Sequence, residues 1–325
     1  TGDEMSDGLL EPGAHDGMAC FPVEGDVDRC LLVRNHELDW NADGERGAFG
    51  ERFARAGGVD AIHATVAYHE EFDGVVTKLE DWDAHFRAYP DLIIPGRSPA
   101  DVRKARATGR TAVFFGFQNP GPIGADLGKI AVCHRLGIRF MQVTYNLQSL
   151  CGAGWQEPVD SGLTRFGREV VDEMNRLGMI VDLSHAGNRT ALETIEHSQR
   201  PVAVTHANPR WWRATDRNVS DEVISALGET GGMLGFSLYP HHLADGSDTT
   251  LDDFCKMAAK VAEKIGPERL GIGSDLCQGQ PDSVVRWMRD GHWTFARSDA
   301  VFPAMQSWFG GNLDWDGIAA GLQAA

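Results

Sequence analysis

Nowhere in these 325 residues is there an uninterrupted apolar run near the ~20 residues that a membrane-crossing helix needs. Clusters of Lys or Arg are missing too. Thirty basic residues stand against 47 acidic ones, a formal net charge of −17. That balance excludes an electrostatic footprint for nucleic acid or for an anionic membrane surface. Cysteine is sparse and scattered, at 20, 30, 133, 151, 255 and 277, with no CxxC pair. A chain this long needs no disulfide framework, so reduced thiols buried as small hydrophobes are expected. The amino end, TGDEMSDG, has no apolar core of a signal peptide, and it does not open on Met. The expectations are a cytoplasmic location, no membrane segment and a trimmed or partial chain. Internal repeats and low-complexity tracts are also lacking.

What the sequence does contain is a regular alternation of short apolar runs with amphipathic segments. Strands are expected at about 60–67, 111–117, 138–144, 179–183, 201–205, 232–238 and 270–274. Helices are expected at Phe72–Ala88, Ser98–Ala107, Ile123–Leu136, from Thr164 to Gly178, and at Arg189–His197, Asp221–Glu229 and Thr250–Ile265. Strand alternating with helix at this spacing argues for an α/β chain folded as a (β/α)8 TIM barrel, with Leu31–Val33 as the eighth strand. Residues 1–38 are rich in Gly, Asp and turn residues and fit this rhythm poorly. Their GAHDGM and LVRNHE pieces resemble the opening of calcium-dependent bacterial alkaline phosphatases. The expected division is an atypical, foreign segment at 1–38 and a barrel at 39–325 whose carboxyl end is cut short.

The stretch from Met179 to Asn218 organises the rest. Two short strands each run straight into a histidine, His185 and His206, with one helix between them. Parallel strands joined in this way end on the same side of the sheet, so both imidazoles reach one point, as a metal site requires. Gln118, Tyr145 and Asp275 stand at other strand ends, and Arg217 lies in the loop after His206. Two histidines plus an aspartate at one barrel mouth point to a metal or catalytic centre rather than to chance polar caps. His63 is expected to be packed inside. His241 and His242 are expected to face solvent, and Trp211 and Trp212 to pack the loop that presents Arg217.

The motifs DLSHAGNRT, PVAVTHANPR, DRNVSDE and GIGSDLCQG, with GLTRFGREVVDEMNRLGM upstream, resemble the membrane (renal) dipeptidase family, the M19 metallopeptidases. The resemblance implies a metal-dependent hydrolase of the amidohydrolase type that cleaves dipeptides at a two-zinc site, often as a homodimer. Position by position, it implies His185 and His206 as zinc ligands and Asp275 as a metal contact and proton carrier. Arg217 would be the grip on the substrate carboxylate. Three departures stand out. Gln118 replaces a bridging glutamate, Tyr145 replaces a histidine, and the first-strand HxD pair is reduced to His36 and Asp39, three residues apart. A neutral amide cannot bridge two divalent ions as a carboxylate does. One Zn2+ at His185 and His206, helped by Asp275 or Gln118, is therefore the expected form, with two ions if the site is complete. Tyr145 is expected to donate to a developing oxyanion, and Tyr145 and Asn146 to touch the substrate. The alternative is a barrel that has lost hydrolysis and binds or transforms a small carboxylated metabolite.

Overall fold

The computed structural model describes residues 16–23, 26–36, 60–273 and 275. Its strands are β1 (Asp16–Val23), β2 (Asp26–His36), β3 (Ala61–Ala67), β4 (Ile93–Gly96), β5 (Thr111–Phe117), β6 (Ile138–Gln142), β7 (Ile180–Asp182), β8 (Ala203–Val204), β9 (Met233–Ser237) and β10 (Leu270–Gly273). The described helices are α1 (Phe72–Ala88), α2 (Pro99–Ala107), α3 (Gly128–Leu136), α4 (Arg165–Leu177), α5 (Asn188–His197), α6 (Asp221–Thr230) and α7 (Leu251–Ile265).

Eight strands pair in parallel in the order β2-β3-β5-β6-β7-β8-β9-β10. Cα atoms of β10 come within 8 Å of β1 and β2, so the sheet curls back on itself as a (β/α)8 barrel. The eighth strand is β2, which contains Leu31–Val33 and pairs with β3 from Val33↔Ala61 to His36↔Ala64. Asp39, the suggested partner of His36, lies outside the described residues. Two strands depart from the ideal plan. β1 folds antiparallel onto β2. β4 takes the first half of one edge of β5, and β6 takes the second half.

Local chemistry explains the element ends. Thr164 accepts the Gly167 N–H at 2.9 Å and caps α4, whose far end turns on Gly178 at φ 74°. Ser98 and Asp101 form a capping box at α2. The helix expected at Ile123–Leu136 begins later, at Gly128. Gly121–Ile123 is a 3-10 turn, and Gly124 at φ 53° breaks the chain before the helix can start.

Strand periodicity sorts the core into two parts. Val113, Phe115, Phe117, Val181, Val204, Leu234 and Phe236 pack outward with Val170 and Met174 of α4, Ile195 of α5, Ile224 of α6 and Phe254 of α7. Residues on the opposite face, among them Ala61, Ala112, Phe114, Phe140 and Met233, fill the barrel interior. Interior packing is uneven in size. Gly116 leaves the room that His63 fills, since a Cβ there would stand 1.9 Å from His63 Nε2. As expected, His63 is packed, 4% exposed and stacked on Phe140 at 4.4 Å. Neither of its ring nitrogens has a hydrogen-bond partner, and burial pushes its imidazole down from 6.5 to about 3. The three cysteines with described side chains, Cys133, Cys151 and Cys255, are buried free thiols.

A neutral buried histidine has a definite consequence for stability against pH. Its folded pKa lies below the unfolded value, so the unfolded chain takes up the proton first. The contribution is complete above pH 6.5 and is lost as pH falls towards about 3. The slope for one such group is about 1.4 kcal/mol per pH unit. His63→Phe, which keeps the ring and removes the titration, is expected to flatten the acid slope of urea-unfolding stability between pH 6 and 4 by about that amount. An unchanged slope would mean that His63 already carries its proton in the fold.

Candidate functional site

The carboxyl ends of β7 and β8 carry the two histidines in the register that parallel pairing dictates. Asp182, at the end of β7, pairs with Ala203 of β8. His185 and His206 follow each strand by two or three residues, and both are buried. Their Nε2 atoms face one another at 2.9 Å.

Hydrogen bonds on the far side of each ring decide what those nitrogens are. His185 Nδ1 lies 2.7 Å from Asn146 Oδ1, which also accepts the indole N–H of Trp155 at 2.7 Å. An indole nitrogen only donates, so that Asn146 atom is the carbonyl oxygen and His185 Nδ1 must carry hydrogen. For His206 the chain is one link longer. Asp182 accepts the Ser184 hydroxyl on Oδ1 at 2.5 Å and the Thr205 hydroxyl on Oδ2 at 2.7 Å. Thr205 Oγ1 is then an acceptor, 2.8 Å from His206 Nδ1. Each neutral ring therefore has its hydrogen on Nδ1 and a lone pair on Nε2. The rings are kept neutral by burial first and by the Arg217 guanidinium second, both of which hold their pKa values well below the ordinary range.

Two lone pairs aimed at each other in a buried site repel unless a positive centre lies between them. A divalent cation that accepts both lone pairs would relieve that repulsion, and imidazole nitrogens are ordinary ligands for one. The donor set thus fits a divalent metal ion, and the backing of each ring by Asn146 or Thr205–Asp182 is the outer-shell support that metal-bound histidines need. The fit is partial. Among the described residues no three His, Cys, Asp or Glu side chains close into a full ligand set. Asp275 comes nearest, with Oδ1 3.8 Å from His206 Nε2.

Arg217 is 5% exposed. Its guanidinium donates to the Ser184 carbonyl and, at 2.9 Å, to the His206 carbonyl, at the ends of the two histidine strands. Nη2 also lies 3.4 Å from His185 Nε2 and 3.6 Å from Asp275 Oδ2. Tyr145 packs its ring on His185 at 4.4 Å, and beyond it stand His69 at 5.5 Å and Tyr68 at 6.2 Å. Gln118 is buried at the end of β5 and gives its amide N–H to Thr65. Of the residues singled out in the sequence, His185, His206, Asp275 and Arg217 meet directly, and Tyr145 and Asn146 touch His185. Asn146 acts on the imidazole through its carbonyl oxygen.

One expectation is corrected. His242 does not face solvent; it is 7% exposed, with Nδ1 2.7 Å from Ser237 Oγ and 3.2 Å from Asp275 Oδ2. Two consecutive histidines in a loop look alike in sequence, and only the 3-10 turn at Pro240–His242 sends one inward. Asp182, Asn208 and Asn218 were also overlooked as separate signals, although each sits inside a quoted motif. Asn208 and Asn218 both donate to the His242 carbonyl at 3.1 Å, and Asn208 also to Ser237 O at 2.8 Å. These bonds tie the Arg217 loop to the end of β9. Trp212 packs edge-on against Phe254 of α7, and Trp211 is 44% exposed beneath Lys260.

Removing the acceptor behind His185 should release the ring. Asn146→Ala is expected to weaken divalent-metal binding by about 10–100-fold in a competition titration, and Asn146→Asp, which keeps an acceptor there, to stay near the parent. Equal affinity in both variants would show that His185 needs no such orientation.

The geometry can be set beside known proteins. Residues 24–288 match the family described as Membrane dipeptidase (Peptidase family M19). A dipeptidase of Aspergillus oryzae, aclJ, is 31% identical over 194 residues, which are 58% of this chain and 46% of the relative. The chain thus spans about half the length of the curated relatives it matches. Among solved structures, an amidohydrolase from Pseudomonas aeruginosa is 31% identical with a TM-score of 0.73, covering 90% of this chain and 94% of that one. A metallopeptidase from Rhodobacter sphaeroides, solved with a phosphinate mimic of the dipeptide L-Ala-D-Ala, shares the fold at 18% identity and a TM-score of 0.68, covering 93% of this chain and 92% of that one. With two inward-facing imidazoles at the mouth of a parallel barrel and this match over most of its length, the chain belongs to the membrane dipeptidase family, peptidase family M19.

Proposed function

We propose that this protein is a metal-dependent hydrolase of dipeptides or similar small amides that end in a free carboxylate. The observation that carries the reading is the pair of Nε2 lone pairs held 2.9 Å apart beside Asp275 and Arg217. His185 and His206 would hold the ion, with Asp275 drawn in as a third ligand, and zinc suits two imidazoles and a carboxylate. A bound zinc ion supplies Lewis acidity, bringing the pKa of its water towards about 7 and polarising a carbonyl.

The protein's own groups do the rest. Asp275 takes a proton and passes it to the leaving amine, as a carboxylate beside the reacting atoms can do in both directions. Arg217 adds to burial in keeping both imidazoles neutral and provides the positive charge that selects a substrate carboxylate. Tyr145 walls the site beside His185 and is the candidate donor to the oxyanion. Gln118, paired with Thr65, leaves the bridging position of a second ion without a carboxylate, which favours one zinc per chain. The same departure supports a second reading, a barrel that binds a small carboxylated metabolite without cleaving it.

Hydrolysis of L-Ala-D-Ala and a dipeptide panel, followed by amine release, separates the two. The expected results are about one zinc per chain by elemental analysis, loss of turnover on exhaustive chelation with recovery on adding zinc, and loss in His206→Ala. Amidating the substrate carboxylate, or Arg217→Lys, is expected to lower kcat/KM by about 10–100-fold, roughly 1.4–2.7 kcal/mol. Turnover that survives complete chelation would sink the metal reading. A carboxylate-dependent rise in Tm with no cleavage of any dipeptide would favour the binding protein.

A further inference from the structure

The Asp275 carboxylate has two different sides. Oδ1 is the oxygen towards His206 Nε2, at 3.8 Å. Oδ2 is the oxygen turned away, and three groups gather around it: His242 Nδ1 at 3.2 Å, Ser237 Oγ at 3.5 Å and Arg217 Nη2 at 3.6 Å. The residue itself holds φ 53°, a left-handed backbone that Asp tolerates better than most residues with a side chain. Of the three, Arg217 already has a role in the site, whereas His242 and Ser237 have none.

Its own position is built, not incidental. The His242 carbonyl takes hydrogen bonds from Asn208 and Asn218. Asn208 also accepts the Ser237 N–H on its side-chain oxygen at 3.1 Å, so Ser237 and His242 are fixed by one side chain. Ser237 Oγ in turn accepts the Tyr239 N–H at 3.1 Å, closing the turn that carries His242. A ring held by both its backbone and its Nδ1 partner can impose an orientation on a neighbouring carboxylate. A ring free to swing cannot.

We propose that His242, backed by Ser237, is a positioning residue that grips Oδ2 of Asp275 and thereby presents Oδ1 to the metal and substrate. This rests on the metal-site reading above and names a residue that reading does not use. His242 touches neither the substrate nor the ion. It acts through Asp275, so its removal should disturb the ion's third ligand and the proton transfer, and leave the carboxylate grip of Arg217 in place.

The test compares His242→Ala, His242→Asn and Ser237→Ala with the parent full-length protein. Zinc affinity is read by competition with a chromogenic chelator, and kcat and KM are read separately on L-Ala-D-Ala or on the best dipeptide of the panel. His242→Ala is expected to lose about 10–100-fold in zinc affinity and a similar factor in kcat, with KM within about threefold. His242→Asn places an amide N–H near the position of Nδ1 and is expected to recover most of both. Ser237→Ala should fall between them. Parent-like zinc affinity and kcat in His242→Ala overturn the proposal. So does a failure of His242→Asn as deep as that of His242→Ala with Tm equally lowered, because that pattern reports packing alone. A parent protein that binds zinc and cleaves no dipeptide removes the peptidase reading, and the zinc titration still decides this one. A parent that binds no zinc overturns both.

Discussion

Two buried nitrogen lone pairs pointed at each other across 2.9 Å are the constraint around which this structure is arranged. Such an approach is repulsive between neutral rings, and it persists because every other degree of freedom of the rings is taken. Asn146 fixes one imidazole, and the Asp182–Thr205 pair fixes the other. Arg217 crosses beneath them and joins the carbonyls of both strand ends. The guanidinium also makes protonation of either ring unfavourable, so the lone pairs stay available for a cation. Rings held this firmly are preorganised for the cation proposed above.

The scaffold makes this possible through its direction. Parallel strands deliver their carboxyl ends to one mouth, and a strand ending in Asp or Thr followed closely by His places carboxylate, hydroxyl and imidazole in successive layers there. Below the mouth the interior turns apolar, with His63 stacked on Phe140 over the gap that Gly116 leaves. A histidine without partners in that layer is costly to charge, which sets an acid limit on the fold separate from any catalytic titration.

Most of the barrel was legible because its signals are local. The two short apolar runs ending in histidine, the Thr164 cap and Gly178 stop of α4, and the buried TAVFFGF strand each declare themselves within a dozen residues. Leu31–Val33 was readable as a strand only because seven others required an eighth. The misreadings share a cause. His242 and His241 differ in burial through a turn of three residues, and nothing in a pair of adjacent histidines states which one is inside. The start of α3 slipped from Ile123 to Gly128 because the apolar spacing continues through a 3-10 turn that glycine conformation, not hydrophobicity, separates from the helix.

By itself the sequence determined the order of strands and helices, the family and the chemical types present at the barrel mouth, since these follow from periodicity and from motifs contiguous in the chain. Tertiary structure alone decided which nitrogen of each ring carries hydrogen, where Arg217 sends its donors and which oxygen of Asp275 is held. Those depend on partners distant in the chain, such as His185 with Asn146 and Asp275 with Ser237, and distances across that separation exist only once the sheet has closed.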